Sequence, residues 1–459
     1  MTLALELARR INALAFEGLP SDVVHWARIG ILDTVGVTLA GSSEPATQIV
    51  RRTLARGSGS SVLFGSSRRA RPLDAALVNG TASHALDFDD CNNTLGGHPS
   101  VPILPAIFAL ADETGCSGKD FIAAYVAGFE TECKLAMGDG MYQYTRGWHP
   151  TTTLGIFGTA AACASLLKLT DEQTATALAI AASFAAGIKA NFGSMTKPLH
   201  IGHCARDGLS AALLAREGFT ANLAALEGRQ GFFEVFNGAG NYDAGKILPA
   251  WGAPFDIVEP GIATKQHPCC GSTHPPIDAL LMLAREHDLR AESVRRIKAW
   301  IHPSCLQHTD RPGPPKNGSD ARFSLQYCLA RALVARKLTL EHFEGDACRE
   351  PAVLKLMERV EVAPYTAAQF SLDNYFGAEV VVTRDDGREL AAKVEEPVGC
   401  TSRNPLPANV LNDKFVGCAG RALPHDDVVR LQEVLHRFEE IPDVRELTAL
   451  LAGPADERL

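Results

Sequence analysis

His84-Ala-Leu-Asp87-Phe-Asp89-Asp90-Cys91 sets one imidazole and three carboxylates in a single short run, and Gly96-Gly97-His98-Pro99-Ser100 follows closely. On a helix, residues 84, 87 and 91 would share one face. A histidine and a carboxylate on an inward face can move protons. The glycine pair would break that helix, and Pro99 holds His98 extended, so that its ring is presented from a loop. The plain alternative is a solvated acidic helix end with a capping histidine. Three acids together also suit a Mg²⁺-diphosphate site. Such cavities are lined with aromatics, whereas this chain is 7% aromatic and has no second Asn/Ser/Glu triad, so no metal is expected.

Gly147-Trp148-His149-Pro150-Thr151 repeats the device of a histidine held by a following proline, here at a helix N-terminus. The positive end of that dipole disfavours imidazolium and attracts carboxylate; a simple capping role is the alternative. Lys189, Lys197, His200, His203 and Arg206 crowd into an otherwise apolar, Gly- and Ala-rich stretch. Cations so close together call for anions, and an acidic small molecule fits better than ordinary surface lysines between helices. Thr264-Lys265-Gln-His267-Pro-Cys269-Cys270-Gly-Ser-Thr-His274 marks the junction of two compositional regions, where ligand sites tend to form. Adjacent cysteines do not easily share one tetrahedral zinc, so a structural role is expected for both. His302, His308, Asp310 and Arg311 occupy a later loop.

Composition limits the remaining classes. The net charge is −9, from 44 Lys+Arg against 53 Asp+Glu, which argues against nucleic acid or an anionic membrane as a bulk partner. No charge-free apolar run is long enough to span a bilayer, and no basic segment precedes an apolar one at the start. The 12 cysteines include no C-x-x-C pair, so reduced thiols and a cytoplasmic location are expected. G-x-G-x-x-G, G-x-x-x-x-G-K-[ST], G-x-S-x-G and H-E-x-x-H are all absent, which leaves nucleotide, serine-hydrolase and zincin chemistry without support.

The elements that must carry these residues are mostly helical up to about residue 255. Val23 to Leu39, Pro105 to Glu113, Phe121 to Glu130, Gly155 to Leu167, Asp171 to Ala186 and Ala205 to Arg216 are so nearly apolar all round that they belong inside a bundle. Beyond residue 265 the period changes to two, at Val294 to Ile301 and Val360 to Val362, and Arg384-Asp-Asp-Gly387 is a hairpin signal. The expected fold is therefore mainly α with a smaller α+β domain. It has a helical domain in 1–264, an α+β domain in 265–398, and a helical tail in 399–459 that packs back on the first.

Taken together, these stretches resemble the MmgE/PrpD family, which includes 2-methylcitrate dehydratase, cis-aconitate decarboxylase and iminodisuccinate epimerase. The resemblance runs nearly end to end, through Ile31-Leu-Asp33-Thr-Val-Gly36, Ala75-Ala-Leu-Val-Asn79-Gly80, His84 to Asp90, His98-Pro-Ser100, Thr196-Lys-Pro-Leu-His200, Lys265, Ala321-Arg-Phe-Ser-Leu325 and Lys414-Phe415. It implies a helical domain built from both chain ends, an α+β lid domain and a homodimer. It also implies a site of Asp87, His98, His149, Lys197 and Lys265, with Cys91 and His308 at positions where the decarboxylase branch has Thr and Tyr; His200 and Arg206 are added as substrate-binding cations. Gly147 to Thr151 and Asn191 to Lys197 look closer to the epimerase branch. All three activities handle carbanion character beside a carboxylate, and clustered His and Lys with one aspartate suit that need without metal or redox cofactor. The expected function is a cofactor-independent lyase acting on a small di- or tricarboxylate. The alternatives are an epimerase of an iminodisuccinate-like dicarboxylate, a non-catalytic carboxylate-binding protein, or a Mg²⁺-dependent enzyme using Asp87, Asp89 and Asp90.

Overall fold

A computed structural model describes residues 1–55 and 57–453. The chain divides into two compact units, Met1–Thr264 with Pro407–Leu459, and Lys265–Leu406. It is mainly helical, with a small mixed sheet confined to the second unit apart from a two-stranded ribbon, Ser61–Val62 with Arg69–Ala70. Residues 399–406, expected to begin the tail, belong instead to the sheet-containing unit. A tight loop explains this: Gly399 donates to the Asn404 carbonyl at 2.8 Å, and the Asn404 amide returns to the carbonyls of Glu396 and Pro397 at 3.2 Å each.

The larger unit is a layered bundle whose central helices are Ser21–Gly41, Pro72–His84, Ser100–Thr114, Gly118–Asp139, Gly155–Leu166 and Thr196–Arg216. Small residues set how closely they pack. A Cβ on Gly80 would lie 3.0 Å from the Cα of Gly202, and one on Gly202 would run into the Leu77 carbonyl. The Pro72–His84 and Thr196–Arg216 helices therefore meet backbone to backbone, which brings the C-terminal end of one beside the first turn of the other. Gly128 and Gly158 make a similar approach between the Gly118–Asp139 and Gly155–Leu166 helices. Ser21–Gly41 is long and apolar enough by composition to cross a membrane, yet it is mostly buried inside this unit and carries the buried Asp33.

The C-terminal segment closes the same unit. Phe438 packs on Phe121, with ring centroids 5.1 Å apart, and Phe121 packs on Phe108 at 4.5 Å. Lys414, on the Ala408–Ala419 helix, reaches the Asp33 carboxylate at 2.6 Å and donates to the Phe88 carbonyl at 2.8 Å. One buried ammonium thus ties the tail both to a core helix and to the turn that carries Asp87 and Asp89.

In the smaller unit the strand order is Val360–Pro364, Val294–Ile301, Ala378–Arg384, Glu389–Val394. The first pairing is parallel (Ile297 opposite Val360), and the other two are antiparallel. Arg384 and Arg388 close the Asp-Asp-Gly hairpin, with Gly387 at φ +82 as such a turn requires. Helices His274–Glu286 and Leu325–Ala335 supply Ile277, Leu280, Leu329 and Leu333 to a core shared with Ile297, Ala299, Val380 and Val382 on the sheet. That alternation is why the period-two pattern was readable in the sequence.

Lys414→Met should remove the ammonium from the buried Asp33 carboxylate and cost about 3–5 kcal/mol of stability. The expected result is a lower urea midpoint at unchanged denaturant dependence, partly recovered when Asp33→Asn is added. An unchanged midpoint in the single variant contradicts this role.

Candidate active site

His84 is the last residue of the Pro72–His84 helix, and the chain turns at once, with Asp87 N–H donating to the His84 carbonyl at 3.2 Å. Asp87 has φ +52, a left-handed conformation that aspartate tolerates better than most residues. The expected shared helical face is therefore wrong, because the side chains converge through a turn. Asp89 folds back so that its carboxylate accepts from His84 Nδ1 at 2.8 Å, and it also faces His98 Nδ1 at 2.8 Å. The two imidazoles meet edge to face, with centroids 4.5 Å apart. His98 does lie in the loop just before the Ser100–Thr114 helix, where its N–H donates to Thr151 Oγ1 at 3.1 Å.

Lys197 sits within the first turn of the Thr196–Arg216 helix; Pro198 is accommodated there because first-turn amides have no intrahelical acceptor to lose. Its ammonium lies 2.5 Å from Asp87 Oδ1 and 4.9 Å from the centre of the Phe192 ring. The same Asp87 oxygen is 3.8 Å from His98 Nε2 and 4.0 Å from His84 Nε2. His149 is extended just before the short Pro150–Thr153 helix and its side chain makes no capping hydrogen bond; its Nδ1 lies 3.3 Å from His200 Nδ1 and its ring 6.0 Å from that of His84. Among the described residues the Nε2 atoms of His84 and His149 are both buried without a hydrogen-bond partner. Cys91 places its thiol 3.7 Å from His98 Nδ1 and pairs its backbone with Ala263.

Burial decides the charge states. It pushes His84 down to about 3, against the pull of Asp89, with Lys197 and His98 adding to the fall. His149 is held well below the ordinary histidine range and His200 at about 4, in both cases by burial first and the Lys197 charge second. Burial would raise Asp89, but His84 and His98 overrule it and keep the carboxyl far below its usual range. Asp90 goes the other way, to about 7, because burial outweighs its hydrogen bond from Ser100. Ser100 in turn meets the Tyr125 hydroxyl at 2.5 Å.

Asp90 turns instead to Ser100, so the three carboxylates do not converge on one point. His84, Asp87, Asp89 and His98 do bring one ligand atom each within 4.8 Å of one another. Asp87 there already faces an ammonium and Asp89 two imidazole Nδ1 atoms, so the donor set is turned inward. Arg206 is engaged by Asp207 at 2.9 Å and by His203 at 2.9 Å, more than two turns along the helix from Lys197. In the smaller unit Lys265 is buried at its start, and His308 Nε2 lies 3.1 Å from Ser272 Oγ. His267 pairs with Asp278 at 3.0 Å, Cys269 with Thr273 at 3.1 Å, and His274 with the Cys269 carbonyl at 3.3 Å, so these residues form no common metal pocket.

By sequence, His84 is weighed with Asp87 on a helical face and Asp89 only as one carboxylate of the Mg²⁺ alternative, and His84 is not paired with Asp89. Their separation of five residues is a turn spacing, and helix-based reasoning does not look for it.

What these atoms make is a buried, largely neutral imidazole cluster around one lysine–aspartate pair, suited to acid–base work beside an anion. The MmgE/PrpD N-terminal domain model matches residues 5–244 and the MmgE/PrpD C-terminal domain model residues 267–440. The chain is 31% identical to the cis-aconitate decarboxylase of Homo sapiens over 98% of its own length and 94% of that protein. It is 27% identical to the cis-aconitate decarboxylase of Aspergillus terreus, over 99% and 96% of the two chains. It is 22% identical to the 2-methylcitrate dehydratase of Salmonella typhimurium, over 92% and 91%. The chain belongs to the MmgE/PrpD family, and it is an enzyme of the lyase class.

The raised Asp90 carboxyl makes a pH prediction. It is protonated in the fold below about 7 but ionises near 3.8 when unfolded, so its contribution to stability falls as pH rises between those values, by about 1.4 kcal/mol per unit. His84, held neutral down to about 3, contributes the opposite slope up to about 6.5, which masks the effect in the native chain. Asp90→Asn mimics the protonated form. Its urea midpoint relative to the native chain should rise between pH 5 and 8; a difference independent of pH contradicts the assignment.

Proposed function

We propose that this chain is a decarboxylase of a cis-aconitate-like tricarboxylate, acting through side chains alone. The observation that carries the reading is the Lys197–Asp87 pair, 2.5 Å apart and ringed by His84, His98 and His149. Relatives named as decarboxylases that align over nearly the whole chain support it. Loss of CO₂ from the CH₂-carboxylate of such a substrate leaves an electron pair that spreads through the adjacent double bond into the far carboxylate. A proton must then reach the carbon beside that carboxylate, and the product is methylenesuccinate. The sum is one trianion and one proton giving a dianion and CO₂.

Lys197 has the charge and position to hold a substrate carboxylate while the developing dienolate forms. His98, partly open at the edge of the cluster, delivers the proton and regains it from solvent. His149 offers its unpartnered Nε2 as a neutral acceptor or donor, because burial keeps it uncharged. Cys91 and His200 flank these groups, Cys91 beside His98 and His200 beside His149.

Incubation with cis-aconitate in D₂O, followed by ¹H NMR, should show CO₂ loss and one deuterium in the methylene group of the product. Lys197→Met should lower kcat/KM at least about a hundredfold, roughly 3 kcal/mol of transition-state stabilisation. An alkene formed from 2-methylcitrate by loss of water alone, or deuterium uptake into iminodisuccinate with no group lost, overturns the decarboxylase reading in favour of a dehydratase or an epimerase.

A further inference from the structure

The carboxylate of Asp89 is fully buried, and it is shared by two imidazoles through the same ring position. His84 Nδ1 is hydrogen-bonded to its two oxygens at 2.9 and 2.8 Å, and His98 Nδ1, which also has the Cys91 thiol at 3.7 Å, lies 2.8 Å from Oδ2. Both Nε2 atoms then look toward the opposite carboxylate, at 4.0 and 3.8 Å from Asp87 Oδ1. Those separations are too long for a direct hydrogen bond.

We infer that Asp89 is the positioning residue of this site: it fixes both histidines as Nδ1–H tautomers, so that His84 and His98 present two Nε2 lone pairs to the substrate beside Lys197. An ionised carboxylate has only acceptors, and it can satisfy two N–H groups at once only if both rings place their protons on Nδ1. Among the described residues His84 Nε2 is then a buried acceptor with no hydrogen-bond partner, and a substrate group or a bound water would supply the donor. His98 gains a counter-ion behind it, which stabilises the imidazolium it becomes when it picks up the proton for transfer, as a carboxylate behind a catalytic histidine does elsewhere. Asp89 itself need touch no substrate. The burial that keeps His84 neutral down to about 3 favours the same division, with one ring that titrates during turnover and one that only accepts.

The inference rests on the site serving the acid–base chemistry proposed above, but its test is read without substrate. Long-range ¹H–¹⁵N spectra of the histidine-labelled protein, with resonances assigned by His84→Gln and His98→Gln, should show both rings protonated at Nδ1 and bare at Nε2. Asp89→Asn replaces two acceptors with one acceptor and one N–H donor, so one of the two rings must move its proton to Nε2. In that variant kcat should fall at least a hundredfold, with KM changed less than about threefold. Either ring found protonated at Nε2 in the native chain overturns the inference, and this holds even if Asp89→Asn does not fold. So does an Asp89→Asn protein whose two tautomers and kcat are unchanged. If the tautomers are as expected while cis-aconitate is not decarboxylated, the substrate reading fails and the role of Asp89 stands.

Discussion

An ammonium and a carboxylate held 2.5 Å apart inside a helical bundle govern the rest of this site. Neither Lys197 nor Asp87 can rely on bulk water, since both are almost wholly buried. A charge in such a place is tolerated only if it is paired and further hydrogen-bonded. The Lys197 charge in turn disfavours any second cation, and this adds to the desolvation that keeps His84, His149 and His200 neutral. The imidazoles are held ready to accept or donate a proton because the one permitted cation is already present.

The bundle delivers that pair through close backbone contact. Gly80 and Gly202 let the Pro72–His84 and Thr196–Arg216 helices approach without side chains between them, so His84 at the end of one and Lys197 at the start of the other serve a common centre. Lys414 anchors the intervening turn from the far end of the chain by holding the Phe88 carbonyl. The Asp90–Ser100–Tyr125 chain fixes its other side and leaves Asp89 free to point back at the two histidines. The turn is thus pinned by Lys197 on Asp87, Lys414 on the Phe88 carbonyl and Ser100 on Asp90, and the left-handed backbone at Asp87 is carried by that surrounding order.

Much of this was legible in the residues. The apolar helices announced a bundle, the period-two strands and the Asp-Gly hairpin announced the second unit, and His98-Pro99 and His149-Pro150 marked ring-presenting loops. The failures have a shared cause. A helix drawn through His84 to Cys91 put Asp87 on a face and gave Asp89 a place only in the Mg²⁺ alternative, because a turn closed by side-chain hydrogen bonds has no periodicity to read. Arg206 was grouped with the other cations by proximity in sequence, yet on a helix it lies well along the axis and is taken up by its own neighbours, Asp207 and His203.

The central claim is that Lys197 and Asp87 act as one unit. A double-mutant cycle on CO₂ release from cis-aconitate, with Lys197→Met, Asp87→Asn and the pair, measures this directly. The account predicts strong non-additivity: the double variant should be no slower than the slower single one, because either change already dismantles the unit. Losses that multiply, with the double variant slower than both by the product of their separate effects, would contradict it.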